Sequence, residues 1–276
     1  MKTVVTVFFI FVVLVSPVAA EVSTLRSELS AIQIEPTDLD RSLLQSVLGK
    51  SLDAYEAVKD YRAIFLKQEL SKGRLGDTER IFLKFEKPFK IFMSWMDTDK
   101  KGLQVLYERG RHDGKLAIHK PGLLLGLAPV VFLEQDSPWV REGSESYDIE
   151  DAGIGTFLND FTEVVIKALK QRTLSVQTEE SEAGYTADTI FQRSSPDTEY
   201  FAYRVTVFFD KQTSLPIQMT LYDCNEKPMG IYQYENLEVN VGMDDADFKK
   251  IAQSRLYRLY TPASARPAKT QNFSSR

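Results

Sequence analysis

From Asp60 onward, apolar and polar residues alternate with period two over most of the chain, which is the spacing of strands that bury one face. Ahead of that point the period is different. Leu43, Leu44, Val47, Leu48, Leu52, Tyr55 and Val58 recur every three or four residues, predicting an amphipathic helix that Asp38 or Asp40 caps. Strands are predicted over residues 61–70, 79–85, 89–96, 105–109 and 115–119, with turn residues at 71–76 and 110–114. A second amphipathic helix follows residues 151–156, its buried stripe made of Phe157, Leu158, Phe161, Val164, Val165, Ala168 and Leu169. Strands resume over residues 174–178, 187–192, 201–209, 215–222 and 230–239. Turn-linked strands without crossover helices pair antiparallel. The expected fold class is therefore α+β: one large curled antiparallel sheet, an incomplete β-barrel, covered by helices and an apolar lid segment.

Three stretches depart from these two periods. Met1-Lys2, an apolar run over residues 4–15 and the Ser16-Pro17-Val18-Ala19-Ala20 end have the order of a secretory signal peptide, with cleavage expected after Ala20. An uncleaved anchor is the competing reading, but residues 4–20 sit at the low edge of the roughly 17–25 needed to span a bilayer. Export to the periplasm rests on this segment. Residues 21–39 are polar, contain Pro36 and read as a linker or loose arm. Residues 121–133 are almost wholly apolar yet punctuated by Pro121, Gly122, Gly126 and Pro129, so they read as a loop packed over an apolar surface rather than a strand. The domain is expected over residues 40–260, and residues 261–276 read as a disordered tail.

Charge and composition narrow the possible chemistry. Removing residues 1–20 takes away one lysine and no acid, leaving 256 residues with 33 basic and 39 acidic side chains. That mildly acidic balance gives no reason to expect nucleic acid, and no dense basic cluster suggests attachment to an anionic membrane. Cys224 is the only cysteine, so no intramolecular disulfide forms, and it reads as an incidental thiol near a turn. His112 and His119 are the only histidines, and no spacing of metal ligands surrounds them. Gly153-Ile154-Gly155 lacks the third glycine and the parallel unit of a phosphate-binding turn. No catalytic constellation, metal or cofactor is expected.

What exceeds an ordinary one-faced sheet is the number of large apolar side chains on both faces of its strands. Phe82, Phe85, Phe89, Phe92, Trp95, Phe208 and Phe209 would need two covered faces, one under helices and the other under residues 121–133. Core packing explains the same excess without a ligand. The order of helix, Tyr61-Arg62-Ala63-Ile64-Phe65-Leu66-Lys67-Gln68, a turn and the run over residues 81–95 resembles the periplasmic lipoprotein carriers of the LolA-like fold. Residues 209–216, the stretch over 232–237 and Asp244-Asp245-Ala246-Asp247-Phe248 resemble the closing part of that fold. Lys67-Gln68-Glu69, residues 84–89 and residues 102–107 are similar to the bacterial DUF1571 family.

The resemblance implies a carrier or binding protein without enzymatic activity, taking a lipid or acylated protein as ligand. Handover to a transient membrane-bound partner would follow, and a monomer is expected. An envelope sensor or structural protein that binds a protein partner is the alternative. By the same resemblance Phe82, Phe85, Phe89, Phe92, Trp95 and Tyr107 would line an apolar cavity. Leu123, Leu124, Leu125, Leu127, Val130 and Phe132 would form the lid. Lys87, just before Pro88, would be its latch, although lysine lacks the fixed fork of a guanidinium.

Overall fold

The computed structural model describes residues 17–71, 73–120, 130–137, 149–192 and 200–248. Among them, three α-helices precede or interrupt the strands: α1 (Pro17–Ala31), α2 (Leu39–Glu56) and α3 (Ile154–Gln171). The first meander comprises β1 (Asp60–Ser71), β2 (Arg74–Leu75), β3 (Glu79–Glu86), β4 (Lys90–Trp95), β5 (Gln104–Glu108), β6 (Leu116–His119) and β7 (Val131–Leu133). The second comprises β8 (Leu174–Glu180), β9 (Gly184–Phe191), β10 (Arg204–Asp210), β11 (Pro216–Tyr222) and β12 (Pro228–Val239). All pairings are antiparallel, and β1 joins the meanders by lying between β3 and β12. The spatial order is β7-β6-β5-β4-β3-β1-β12-β11-β10-β9-β8, with the short β2 on β1. The sheet stays open, with β7 and β8 at its two ends.

The free edge of β8 is guarded. At the start of α2, the Asp40 carboxylate accepts the Thr178 backbone N–H at 2.8 Å, and Arg41 Nη2 donates to the Leu174 carbonyl at 2.5 Å. Edge groups occupied by side chains cannot template another strand. Asp38 caps α2, as its position in the sequence predicts, by accepting the Arg41 N–H.

Residues 21–39 depart from the linker reading. Residues 17–31 are helical, and Val22, Leu25 and Leu29 are buried in the main core. A three-then-four spacing of only three apolar residues is a narrow stripe, lost among the serines and charges around it. It suffices because α1 packs chiefly on α2 and α3. Cleavage after Ala20 would keep all three anchors.

The lid reading also needs correction where it can be compared. Val131–Leu133 is a strand, paired with β6 through Leu116↔Leu133, Ala117↔Phe132 and Ile118↔Val131. Val130 and Phe132 thus belong to or flank a sheet strand, because the β-branched and aromatic run after Pro129 suits a pleated surface better than a loop. Leu123, Leu124, Leu125 and Leu127 lie outside the described residues, as does the tail over 261–276.

Both faces of the first meander are covered, as the apolar excess requires. The inner face carries the main core, under the helices. On the outer face a separate cluster of Phe92, Leu106, Ala117 and Val130 is closed by Phe248, with Met243 packed beside it. Among the described residues, Met243 and Phe248 from the segment after β12 contribute to this second cover.

Candidate functional site

Strand alternation sets the inner face. Tyr61, Ala63 and Phe65 of β1 point inward, opposite Phe85, Leu83 and Ile81 of β3, and Tyr234 of β12 faces Phe65. The result is a continuous run of seven rings. Tyr107 meets Phe89 at a centroid distance of 5.9 Å, Phe89 meets Phe85 at 5.3 Å, and Phe85 stacks on Tyr61 at 5.0 Å. Tyr61 contacts Tyr234 at 6.4 Å, Tyr234 stacks on Phe65 at 4.8 Å, and Phe65 lies parallel to Tyr232 at 6.1 Å. Offset and edge-to-face pairs of this kind contribute about 0.5–1.5 kcal/mol each beyond area burial. Burial raises the hydroxyl pKa of Tyr55, Tyr61 and Tyr234, so all three stay neutral.

The predicted lining residues separate onto two surfaces. Phe85, Phe89 and Tyr107 belong to the run, and Trp95 packs on the same inner core opposite Ile81. Phe82 and Phe92 lie on the outer face with Leu106 and Phe248. They cannot line one cavity with Phe85, because neighbours along a strand project to opposite sides. The reading missed Tyr61, Phe65, Tyr232 and Tyr234, whose period-two spacing was itself the available signal.

Helices meet the run at one end of the sheet. Tyr55, near the end of α2, lies against Gly155 in the first turn of α3. A Cβ at Gly155 would fall 2.1 Å from the Tyr55 ring. Only glycine allows this approach. The Ile154 N–H donates to the Tyr61 hydroxyl at 3.2 Å, seating the start of α3 on the sheet.

Lys87 acts here. Its ammonium donates to the carbonyls of Tyr55 at 2.6 Å and Glu56 at 3.2 Å, and lies 4.2 Å from the centre of the Tyr55 ring. A cation on the orphan carbonyls of a helix C-terminus is favourable. Burial lowers the pKa of Lys87, opposed in part by Glu56. Lys87 therefore grips the end of α2, while the lid residues Leu123, Leu124, Leu125 and Leu127 lie outside the described residues. Lys87→Met should lower stability by about 1–2 kcal/mol in urea unfolding, and Lys87→Arg should recover most of it. Equal stability of all three proteins would remove this role.

Beyond the opposite end of the run the inner face turns polar. Lys67 of β1 lies between Glu79 of β3 and Tyr232 of β12. Glu79 accepts from Trp95 Nε1 at 2.7 Å and from Lys100, while Glu69 accepts from Lys67 at 2.9 Å and from the Tyr232 hydroxyl at 3.1 Å. Burial works to raise the Glu79 pKa, but the hydrogen bonds from Lys100 and Trp95 outweigh it and hold the carboxyl below its usual value. At the margin near β5, Glu150 accepts from Tyr107 and from Arg109 Nη2 at 2.7 Å. Burial, then Glu150, pushes the Tyr107 hydroxyl up to about 12.

The other groups singled out in the sequence lie elsewhere. His112 is buried with its ring 5.0 Å from that of Phe132, and Cys224 is exposed. Among the described residues no group of three or more His, Cys, Asp or Glu side chains is arranged to hold a metal. No helix among them is long and apolar enough to cross a membrane.

A family model described as a protein of unknown function, DUF1571, matches residues 58–259. The chain belongs to the DUF1571 family. The family match begins just after α2 and takes in every strand and α3. Comparison with curated proteins gave no match. Solved structures similar to this DUF1571 chain share little sequence with it. A putative outer membrane lipoprotein-sorting protein domain from Vibrio parahaemolyticus is 13% identical, with TM-score 0.35, covering 77% of this chain and 97% of its own. Lipoprotein LppX of Mycobacterium tuberculosis is 11% identical, with TM-score 0.40, covering 74% and 98%. MucB in the MucA/MucB complex of Pseudomonas aeruginosa is 12% identical, with TM-score 0.38, covering 73% and 59%.

Proposed function

We propose that this protein is a cell-envelope carrier that holds the apolar chain of a lipid or acylated protein against the inner face of its sheet. The observation that supports the reading is the run of rings from Tyr107 to Tyr232, continuous across β5, β3, β1 and β12. The run is packed shut in this state. A ligand enters by replacing contacts that the cover makes with the rings. The exchange is close to balanced, since apolar area leaving water contributes about 25 cal/mol per Å² whether helix or acyl chain covers it. Lys87 sits where the end of α2 would part from the sheet, so its grip biases the closed form. No step of this scheme requires a catalytic group or a cofactor.

Binding of a protein partner is the second reading. It is favoured by the outer cluster around Phe92 and Leu106, which Phe248 closes with Met243 packed beside it. Native mass spectrometry of protein isolated from the envelope separates the two. The carrier reading expects a bound mass of lipid size that delipidation removes and added fatty acid restores. A lipid-free chain bound to a polypeptide would contradict it.

A further inference from the structure

The polar end of the inner face has more order than a solvated surface needs. Both oxygens of both carboxylates there are engaged: Glu79 by Lys100 and Trp95, Glu69 by Lys67 and Tyr232. The side chains of Lys67, Glu69 and Glu79 are only 22%, 19% and 16% exposed, and that of Lys100 is 33% exposed. Charges withdrawn this far from water need a partner on every oxygen, and the row supplies one to each. The row carries two positive and two negative charges in alternation, so it is neutral overall while presenting strong local fields of both signs. An ammonium has three donors, and the carboxylates take one from each lysine. The row directly continues the run of rings, for Tyr232 both stacks on Phe65 and donates to Glu69.

We infer that this row is a head-group subsite for a zwitterionic amphiphile of the phosphate–amine class. Resting on the carrier reading, it adds which lipids the site selects. The phosphate would take the remaining donors of Lys67 and Lys100. The amine would lie against Glu69 and Glu79. An anionic head without the amine meets two fixed carboxylates it cannot neutralise. A neutral head leaves the row desolvated without repayment.

The test uses delipidated protein and fluorescent lipids with identical acyl chains and different heads: phosphatidylethanolamine, phosphatidylglycerol and diacylglycerol. Phosphatidylethanolamine should bind at least about tenfold more tightly than either, the equivalent of one net charge-assisted hydrogen bond. Lys67→Met with Lys100→Met should bring phosphatidylethanolamine to within about twofold of diacylglycerol. Lys100→Gln alone, in the turn before β5, should erase part of the preference without touching the sheet. Equal binding of all three lipids by the unaltered protein would overturn the subsite and leave the carrier reading standing. A preference unmoved in the lysine variants would do the same. Failure to bind any of the three, diacylglycerol included, would overturn the carrier reading and the subsite with it.

Discussion

Asp60→Ala should lower the free energy of unfolding by about 3 kcal/mol and release the segment that covers the outer face. Asp60 is buried at the start of β1, and its carboxylate accepts the backbone N–H groups of Val241 at 2.7 Å, Gly242 at 3.2 Å and Met243 at 3.3 Å. Three successive amides turned onto one carboxylate form an anion-binding concavity made by the chain itself. Alanine removes the acceptor and leaves the donors partly buried, at about 1–3 kcal/mol for each one unsatisfied. Downstream, Asp245 accepts from Lys90 at 2.5 Å, Lys84 donates to the Asp247 carbonyl at 2.5 Å, and Phe248 closes over Phe92 and Leu106. These contacts hold less well once the turn at 241–243 is loose. Hydrogen exchange should rise at residues 241–248 well before it rises in β1. Unchanged exchange there, with unchanged stability, would mean that the carboxylate does not organise the segment.

Gly184→Ala should cost a similar amount for a different reason. Gly184 opens β9 and pairs with Asp210 across β10. A Cβ placed there would lie 2.1 Å from the Phe209 carbonyl oxygen and 3.1 Å from its carbon. The Phe208 ring, 2.8 Å from the same point, could turn aside, but the carbonyl belongs to a strand paired on both sides. Relief therefore requires β9 and β10 to separate locally, at about 3 kcal/mol, the upper part of the usual cost of overpacking. Urea unfolding should show a lower midpoint with an unaltered slope, because the same surface is exposed. A midpoint equal to that of the parent would show that the strands part there without strain.

How much of this was legible in the sequence depended on the length and width of each pattern. The long strands and the broad stripes of α2 and α3 repeat their period often enough to be read, and the antiparallel sheet follows from them. The stripe on α1 has three residues and was submerged in a polar composition. β7 has three residues and follows a Pro/Gly-punctuated stretch, so its strand character had almost no run in which to appear. Site residues divided by a subtler fault. Phe82 and Phe85 are three apart within β3 and must split between faces, whereas Phe92 lies in β4 and Phe89 in the turn before it. Aromatic size marked them as notable, but strand parity decided which of them share a surface. The partners that complete the inner run, Tyr234 and Tyr232, sit at the far end of the domain sequence. Only the closing pairing of β1 with β12 brings them to Phe65. Lys87 was legible through the resemblance alone, and what it grips became visible only with the end of α2 in place.

Photo-crosslinking with a diazirine-bearing fatty acid tests the carrier reading most directly, because the two faces of the first meander carry separate apolar clusters. After irradiation and mass mapping, label should fall on peptides holding Phe65, Tyr107 and Tyr234, and excess unlabelled fatty acid should compete it away. Competable label confined to peptides holding Phe92, Leu106 and Phe248 would contradict an inner-face site, and absence of competable label would contradict a carrier of apolar ligands altogether.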